Sequence, residues 1–215
     1  MEKSQALDQE PGCAVRGQKK RRDWLKQLAQ AQEDWILFDQ DECWFSRFAQ
    51  PQARAWASAG DELRLVQRDP PPGEAQKAIA CFGAREQDSK QVYLYFNDGN
   101  PNSPQTCLFL SALLDIARAA KKRVAVLIWD QASWHKSKMV REWIHGHNRN
   151  AKLDGAVRLL TFLLPTKSPW LNPIEPHWVH AKRNVCEPDG GLSPEELRRR
   201  LCAYFQTEPL VPLKE

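Results

Sequence analysis

The sequence predicts an α/β fold in which a mixed sheet is flanked by helices. Three observations carry this expectation. Val124-Ala-Val-Leu-Ile-Trp129 is a continuous apolar run bounded by charge, the mark of a strand buried on both faces. Just before it, Leu110, Leu113, Leu114 and Ala117 recur at i, i+3, i+4 and i+7, which is one face of a helix. Earlier still, Ala78-Ile-Ala-Cys-Phe82 and Val92-Tyr-Leu-Tyr-Phe96 are short β-rich runs separated by a polar turn, as in a pair of adjacent strands.

Taken in order, residues 1–34 read as a basic N-terminal arm ending in a short amphipathic helix around Trp24, Leu25 and Leu28. Trp35-Ile-Leu-Phe38 begins the first strand, with the acids of Asp39-Gln-Asp41-Glu42 near its end. Arg54 to Val66 fits two strands around Gly60, and Asp69-Pro-Pro-Pro-Gly73 a rigid loop. After the two β-rich runs, Ser103 is placed to cap a helix with Pro104 in its first turn, and Lys121 to Arg123 end it. Beyond the strand at Val124, the residues Met139, Val140, Trp143 and Ile144 form the apolar face of a second helix. Val157 to Leu164 reads as another buried strand, and a helix follows Pro173 towards Asn184. Ser193-Pro-Glu-Glu196, flanked by Leu192 and Leu197, carries the capping box and hydrophobic staple of a last helix. Residues 35–206 are thus expected to form one domain, with 207–215 as a C-terminal tail.

Composition narrows the function classes. At 42% hydrophobic and 27% charged, the chain is globular rather than disordered. No apolar run approaches the ~18 residues that span a bilayer, and no signal-peptide pattern is present. A cytoplasmic protein with no membrane partner is expected. The net charge of +4 permits nucleic-acid binding, and the basic residues cluster at Lys19 to Arg22, Lys121 to Arg123, Lys136 and Lys138, Lys182-Arg183, and Arg198 to Arg200. The six cysteines include no Cys-x-x-Cys pair, which argues against a zinc site or a disulfide framework. His145-Gly-His147 reads as a solvent-facing pair rather than a metal site.

Three acids occupy comparable places. Asp41 lies near the end of the first strand, Asp130 directly follows a buried strand, and Glu175 opens a helix after the last strand. Sites in such sheets form outside the carboxyl ends of strands, and carboxylates gathered there repel one another unless cations lie between them. Residue chemistry alone leaves alternatives open. Asp130 also suits a chain turn, Glu175 stands where a near capping box after Asn172 would place it, and Asp39 and Glu42 compete with Asp41.

Two segments carry a resemblance. Asp130-Gln-Ala-Ser-Trp-His135 resembles the Asp-Asn-Ala-x-x-His segment of mariner-superfamily transposases. Leu164-Pro-Thr-Lys-Ser-Pro-Trp-Leu-Asn-Pro-Ile-Glu175-Pro-His-Trp178 closely resembles their Pro-Pro-Tyr-Ser-Pro-x-Leu-Asn-Pro-Ile-Glu-x-x-Trp stretch, especially in the bacterial insertion-sequence branch. Phe38-Asp-Gln-Asp41-Glu42 looks like the Asp-Glu pair after their first strand.

The resemblance implies an RNase H-like fold and a DDE site in which Asp41, Asp130 and Glu175 bind two Mg²⁺ or Mn²⁺ ions. Asp41 is preferred to Asp39 because the family's acid is directly followed by Glu. Water would attack the phosphodiester at the ends of a mobile element, and the freed 3′-hydroxyl would attack target DNA. His135 would orient a carboxylate, contact phosphate or pack beside Trp134. Asn172 and Pro173 would set the angle at which Glu175 meets the site, and Lys136, Lys138, Lys182 and Arg183 would hold DNA phosphates. The implied partners are DNA and either a second copy or a separately encoded DNA-binding half, since the short arm has no counterpart of the family's helix-turn-helix.

The chain departs from the family in three ways. Gln131 stands where Asn is usual, the recognition region is missing from the arm, and the spacing from Asp130 to Glu175 is wide, with the excess expected as a loop insertion in His145 to Ala156. A truncated, non-catalytic DNA-binding or regulatory fragment and a domesticated RNase H-like nuclease are the competing readings.

Overall fold

The computed structural model describes residues 13–49, 73, 76–185 and 191–211. In chain order these form α1 (Cys13–Gln30), β1 (Trp35–Ser46), β2 (Ala78–Glu86), β3 (Val92–Asn97), α2 (Ser103–Ala119), β4 (Val124–Trp129), α3 (Lys138–Asp154), β5 (Arg158–Leu163), a 3-10 turn at Pro169–Leu171, α4 (Glu175–Asn184) and α5 (Pro194–Phe205). The five strands make one sheet in the order β3-β2-β1-β4-β5. β1 is antiparallel to β2 and parallel to β4, and β4 is parallel to β5.

Alternation along β1 sorts the helices onto two faces. Ile36 and Phe38 pack with Phe109, Leu110, Leu113 and Leu114 of α2 and Val140 of α3. Leu37 packs with Ala29 of α1, while Cys43 and Phe45 pack with Trp178 and Ala181 of α4 and Leu197 and Leu201 of α5. The run at Val124 is buried because β4 lies inside the sheet with a helical layer on each side.

Several expectations are corrected. β1 does not end at its acids but continues to Ser46, because β2 pairs along it from Phe38 to Ser46. β5 is the sheet's outer strand rather than a buried one: Leu159 is buried, while Arg158, Thr161 and Leu163 are exposed. α1 runs for 18 residues, well beyond the short helix expected around Trp24. The stretch expected as an inserted loop is mostly the second half of α3, which ends at Gly155 with φ 69°, a left-handed stop suited to glycine. Its polar residues are used against β5. Asn148 bonds both the N–H and the carbonyl of Leu159 at 2.8 Å. His147 bonds the Val157 carbonyl at 2.8 Å and stacks on Trp143, so it is not simply solvent-facing.

Smaller shifts occur at helix starts. Asn102, not Ser103, caps α2, its side chain accepting from the Gln105 N–H at 3.0 Å. Met139 is 50% exposed and not part of the α3 core face. α5 begins as expected, with Ser193 Oγ accepting from the Glu196 N–H at 3.1 Å and Leu192 and Leu197 buried together. The Glu196 carboxylate, however, accepts from Arg199 and Arg200. The tail segment hydrogen-bonds β3 through the Leu210 N–H and the Leu94 carbonyl at 2.7 Å. The strands expected between Arg54 and Val66 lie outside the described residues, as does the loop before Gly73. Among the described residues no helix is long and apolar enough to cross a membrane.

Candidate active site

The site begins where two strands part. Parallel pairing between β1 and β4 ends at Asp39 and Ile128. One residue further, the freed Gln40 carbonyl is taken by the buried side chain of Asn172, whose Nδ2 donates to it at 2.8 Å. That bond stands in for the missing ladder partner and ties the segment before α4 to β1. It also decides one alternative. Asn172 is spent on β1 and α4 has no side-chain cap, so Glu175 is not the second half of a capping box. The proline in the first turn of α4 is Pro176, while Pro173 lies in the link before the helix.

Asp41 meets α4 on one side of this gap. Trp178 Nε1 donates to Asp41 Oδ2 at 3.0 Å, and Glu175, one helical turn earlier, is near enough for its charge to bear on the same carboxyl. The indole reaches Asp41 because its β2 neighbour in the ladder is Gly83. A Cβ there would sit 2.3 Å from the Trp178 ring. Burial, followed by repulsion from Glu175 and Glu42, pushes Asp41 up to about 8, against the lowering effect of the Trp178 bond. Glu175 is also raised, by burial and then by Asp130.

Asp130 is held differently. Its side chain is 52% exposed, and its Oδ1 accepts from the Ala132 N–H at 2.8 Å and pairs with His135 Nδ1 at 2.9 Å. Burial raises its pKa, but the His135 bond, the Ala132 bond and the charges of His135 and Lys136 outweigh that and leave it lowered. The imidazole lies flat on Trp129, ring centroids 4.3 Å apart, and its Nε2 meets Glu42 Oε1 at 2.9 Å. Burial lowers His135, yet its bonds to Asp130 and Glu42 prevail and raise it to about 9. Asp130 and Glu175 both line a cleft of about 270 Å³, with Gln131, Thr166, Lys167 and Asn172 also in its lining. Gln131 secures the cleft's edge, its Nε2 donating to the Leu164 carbonyl at 2.8 Å.

The fold therefore brings Asp41, Asp130 and Glu175 into one electrostatic neighbourhood. It does not bring Asp39 there. That residue is fully buried, with Lys26 Nζ at 2.9 Å and Arg85 at 3.9 Å. His135 bonds the Asp130 carboxylate and packs on Trp129, with Trp134 at its edge. Lys136 is exposed near the cleft, and exposed Lys138 leans towards Glu142 at 3.7 Å. Lys182 turns back over the Phe45 ring and towards the Cys43 thiol, while Arg183 is exposed on α4. The sequence offers Glu42 only as a rival to Asp41, and it assigns no role to Gly83 or Trp178. The pairing of Glu42 with Asp41 and the position of Trp178 on the Glu175 motif were the available signals.

Two donor sets suggest a cation. Glu42, Asp130 and His135 place one ligand atom each within 4.8 Å of one another. Both ring nitrogens of His135 are already spent on the two carboxylates, so this trio satisfies itself. Asp41, Asp130 and Glu175 offer only oxygen donors, the kind hard divalent cations take, but among the described residues their ligand atoms are not gathered within 4.8 Å as those of the trio are. The raised Asp41 carboxyl among other acids fits a missing positive charge better than it fits a finished ion pair.

Comparisons with known proteins agree with this architecture. No curated protein matches the sequence. Among solved structures, the Mos1 transposase paired-end complex with the left transposon end matches with TM-score 0.61 and 17% identity, covering 97% of this chain and 59% of that one. The Mos1 mariner paired-end complex with Mn gives 0.56 and 16%, covering 97% and 60%. The catalytic domain of Mos1 mariner transposase gives 0.52 and 14%, covering 93% and 84%. The chain spans about three fifths of the Mos1 chains in those complexes. The shared fold is the RNase H-like one expected, a mixed five-stranded sheet flanked by helices. Residues 36–189 match the family model described as DDE superfamily endonuclease, and since that is most of the chain, the protein belongs to the DDE superfamily of endonucleases.

Proposed function

We propose that the chain is the catalytic domain of a mariner-like transposase of the bacterial insertion-sequence branch, which hydrolyses DNA phosphodiesters at the ends of a mobile element and joins the freed 3′ ends to target DNA. The observation that supports this reading best is that Asp130 and Glu175 line one cleft while the charges of both bear on the buried Asp41, near where β1 parts from β4. The Mos1 structures that contain transposon ends, Mn or Mg support DNA as partner and such ions as cofactor. Asp41, Asp130 and Glu175 would hold two Mg²⁺ or Mn²⁺ ions, which when bound make a nucleophile available near neutral pH and stabilise the leaving oxygen.

The chain's own residues prepare that site. The His135 and Ala132 bonds keep Asp130 ionised. Trp178 fixes one oxygen of Asp41, and Asn172 anchors the segment that delivers Glu175. Exposed Lys167 lines the cleft and exposed Lys136 stands near Asp130, and in this reading both contact DNA phosphates. Lys138, Lys182 and Arg183 would add phosphate contacts of the kind that give affinity without sequence information. Residues 35–206 supply the catalytic domain in this reading, residues 1–34 lead into it, and the partners besides DNA are a second copy or a separately encoded DNA-binding half. The working compartment is the cytoplasm, where the element's DNA lies.

The test is cleavage with Mn²⁺ of DNA bearing the element's ends, comparing wild type with Asp130→Ala. Loss of a cation's stabilisation is worth several kcal/mol, so the variant is expected to cut ~10³-fold more slowly. Wild-type cleavage no faster than the variant would sink the catalytic reading, and hydrolysis without joined products would reduce it to a nuclease.

A further inference from the structure

Glu42 follows Asp41 and, by strand alternation, points to the opposite face of β1. It nevertheless reaches the site. Its side chain is 6% exposed, and its Oε1 collects three donors: Gln40 Nε2 at 3.0 Å, Trp134 Nε1 at 3.3 Å and His135 Nε2 at 2.9 Å. The other ring nitrogen of His135 meets Asp130 Oδ1 at 2.9 Å. One imidazole thus links β1 to the turn after β4, across the gap where the strands stop pairing.

We propose that Glu42 is a positioning residue: through His135 it locks the Asp130 carboxylate so that Oδ1 is spent on the protein and Oδ2 is presented to the cleft. This rests on the reading of Asp130 as a ligand of the catalytic cation. The need for such a device follows from exposure. Asp130 stands half in solvent on a turn, so its own packing does not fix the rotation of its carboxylate. His135 is the opposite case. Its side chain is fully buried, flat against Trp129 and edge-on to Trp134. A rigid ring positions an exposed carboxylate only if the ring itself is kept from swinging, and Glu42 is the group that grips its far nitrogen. Among the described residues, both hydrogen bonds received by the Asp130 carboxylate fall on Oδ1, one from His135 and one from the Ala132 N–H. The remaining oxygen is the one left for a cation.

Supports of this kind, one shell out from a cation, typically govern ~10- to 100-fold in metal affinity. Mn²⁺ alone is the probe, with free ion followed by electron paramagnetic resonance during titration of the full chain. Cleavage kinetics and thermal melts accompany each variant. Glu42→Ala and His135→Ala are expected to weaken Mn²⁺ binding ~10-fold and to lower kcat while leaving the KM for DNA unchanged. Glu42→Gln keeps an oxygen facing His135 Nε2, and His135→Asn keeps an amide donor near the Nδ1 position. Glu42→Gln is expected to restore most of the affinity, and His135→Asn part of it.

The proposal is overturned if Glu42→Ala binds Mn²⁺ as tightly as wild type while Asp130→Ala does not. It is equally overturned if Glu42→Gln matches Glu42→Ala in affinity and both merely lose melting temperature, since that pattern marks packing alone. If Asp130→Ala leaves Mn²⁺ affinity unchanged, the reading of the site fails first, and this proposal fails with it.

Discussion

Asp39 and Asp41 stand two residues apart on one face of β1, and the fold treats them oppositely. Asp39 is fully buried, but Lys26 and Arg85 close on it from α1 and β2. Asp41 is nearly as buried, at 9% exposure, yet the charges that shift it are those of Glu175, Glu42 and Asp130. A buried acid answered by cations has been made part of the framework. A buried acid crowded by other acids is a site whose charge balance is incomplete, which is where function is sought. The two residues have the same chemistry, and only their neighbours separate them.

The sharpest way to test that contrast is pH, in a chelator so that no divalent cation intervenes. The folded chain holds the Asp41 proton up to about 8, against 3.8 as the ordinary value. A carboxyl whose folded pKa is raised contributes stability that is complete below about pH 4 and is lost as pH climbs towards 8. A difference of that size is worth on the order of 5 kcal/mol. Asp41→Asn removes it. The metal-free variant should therefore melt close to wild type at pH 4 and well above it at pH 8, and added Mn²⁺ should rescue wild type alone. Parallel melting curves for the two proteins would mean that Asp41 is not a stored charge imbalance.

Next in size is the Asp39 side. Lys26→Met leaves a buried carboxylate without its nearest cation, a change that ordinarily costs ~3–5 kcal/mol. Arg85 remains at 3.9 Å, which places the expected loss near ~3 kcal/mol in urea denaturation. Adding Asp39→Asn should recover part of it, because the two substitutions share one interaction. Mn²⁺ affinity should not move. If it falls with Lys26→Met, Asp39 belongs to the site after all.

This contrast also marks how far the sequence could be read. β4, α2 and the start of α5 were legible because their signals are local: an apolar run, a 3.6-residue period, a Ser-Pro-Glu-Glu start. As candidates, Asp130 stands out for the same reason, as the residue after an apolar strand, and Glu175 through its motif. Asp39 and Asp41 were not separable from residue chemistry, since alternation puts both on one face and the deciding partner, Lys26, lies on another element. Glu42 acts through His135, 93 positions away. β5 reads as buried because strand order, which makes it an outer strand, is not written in its residues. The second half of α3 looked like a loop because its polar side chains are used against β5 rather than against solvent.

A smaller effect is expected at Gly83, which supports Asp41 indirectly. A methyl group there would stand 2.3 Å from the Trp178 ring. Gly83→Ala should force the indole off the sheet at ~2 kcal/mol, the usual scale for overpacking. It should also withdraw the Nε1 donor from Asp41, so the pH dependence of the melt should steepen relative to wild type. An unchanged melt would show that α4 moves freely over β2.

The smallest expected effect concerns the bond that keeps Glu175 in reach of Asp41. Asn172 is 3% exposed, and its Nδ2 supplies the donor that β4 no longer gives to Gln40. Asn172→Ala strands a buried carbonyl, which costs ~1–3 kcal/mol when nothing replaces the donor. The adjoining cleft admits water, so the loss in urea denaturation should fall at the low end, ~1 kcal/mol. The same bond is the tie between β1, which carries Asp41, and the segment that delivers Glu175. Its loss should therefore weaken Mn²⁺ binding more than it weakens the fold. Asn172→Asp, which cannot donate to the carbonyl when ionised, should behave like the alanine variant in affinity despite its similar shape. An Asn172→Ala chain that keeps wild-type Mn²⁺ affinity would mean that α4 holds Glu175 in place through Trp178 and the core alone.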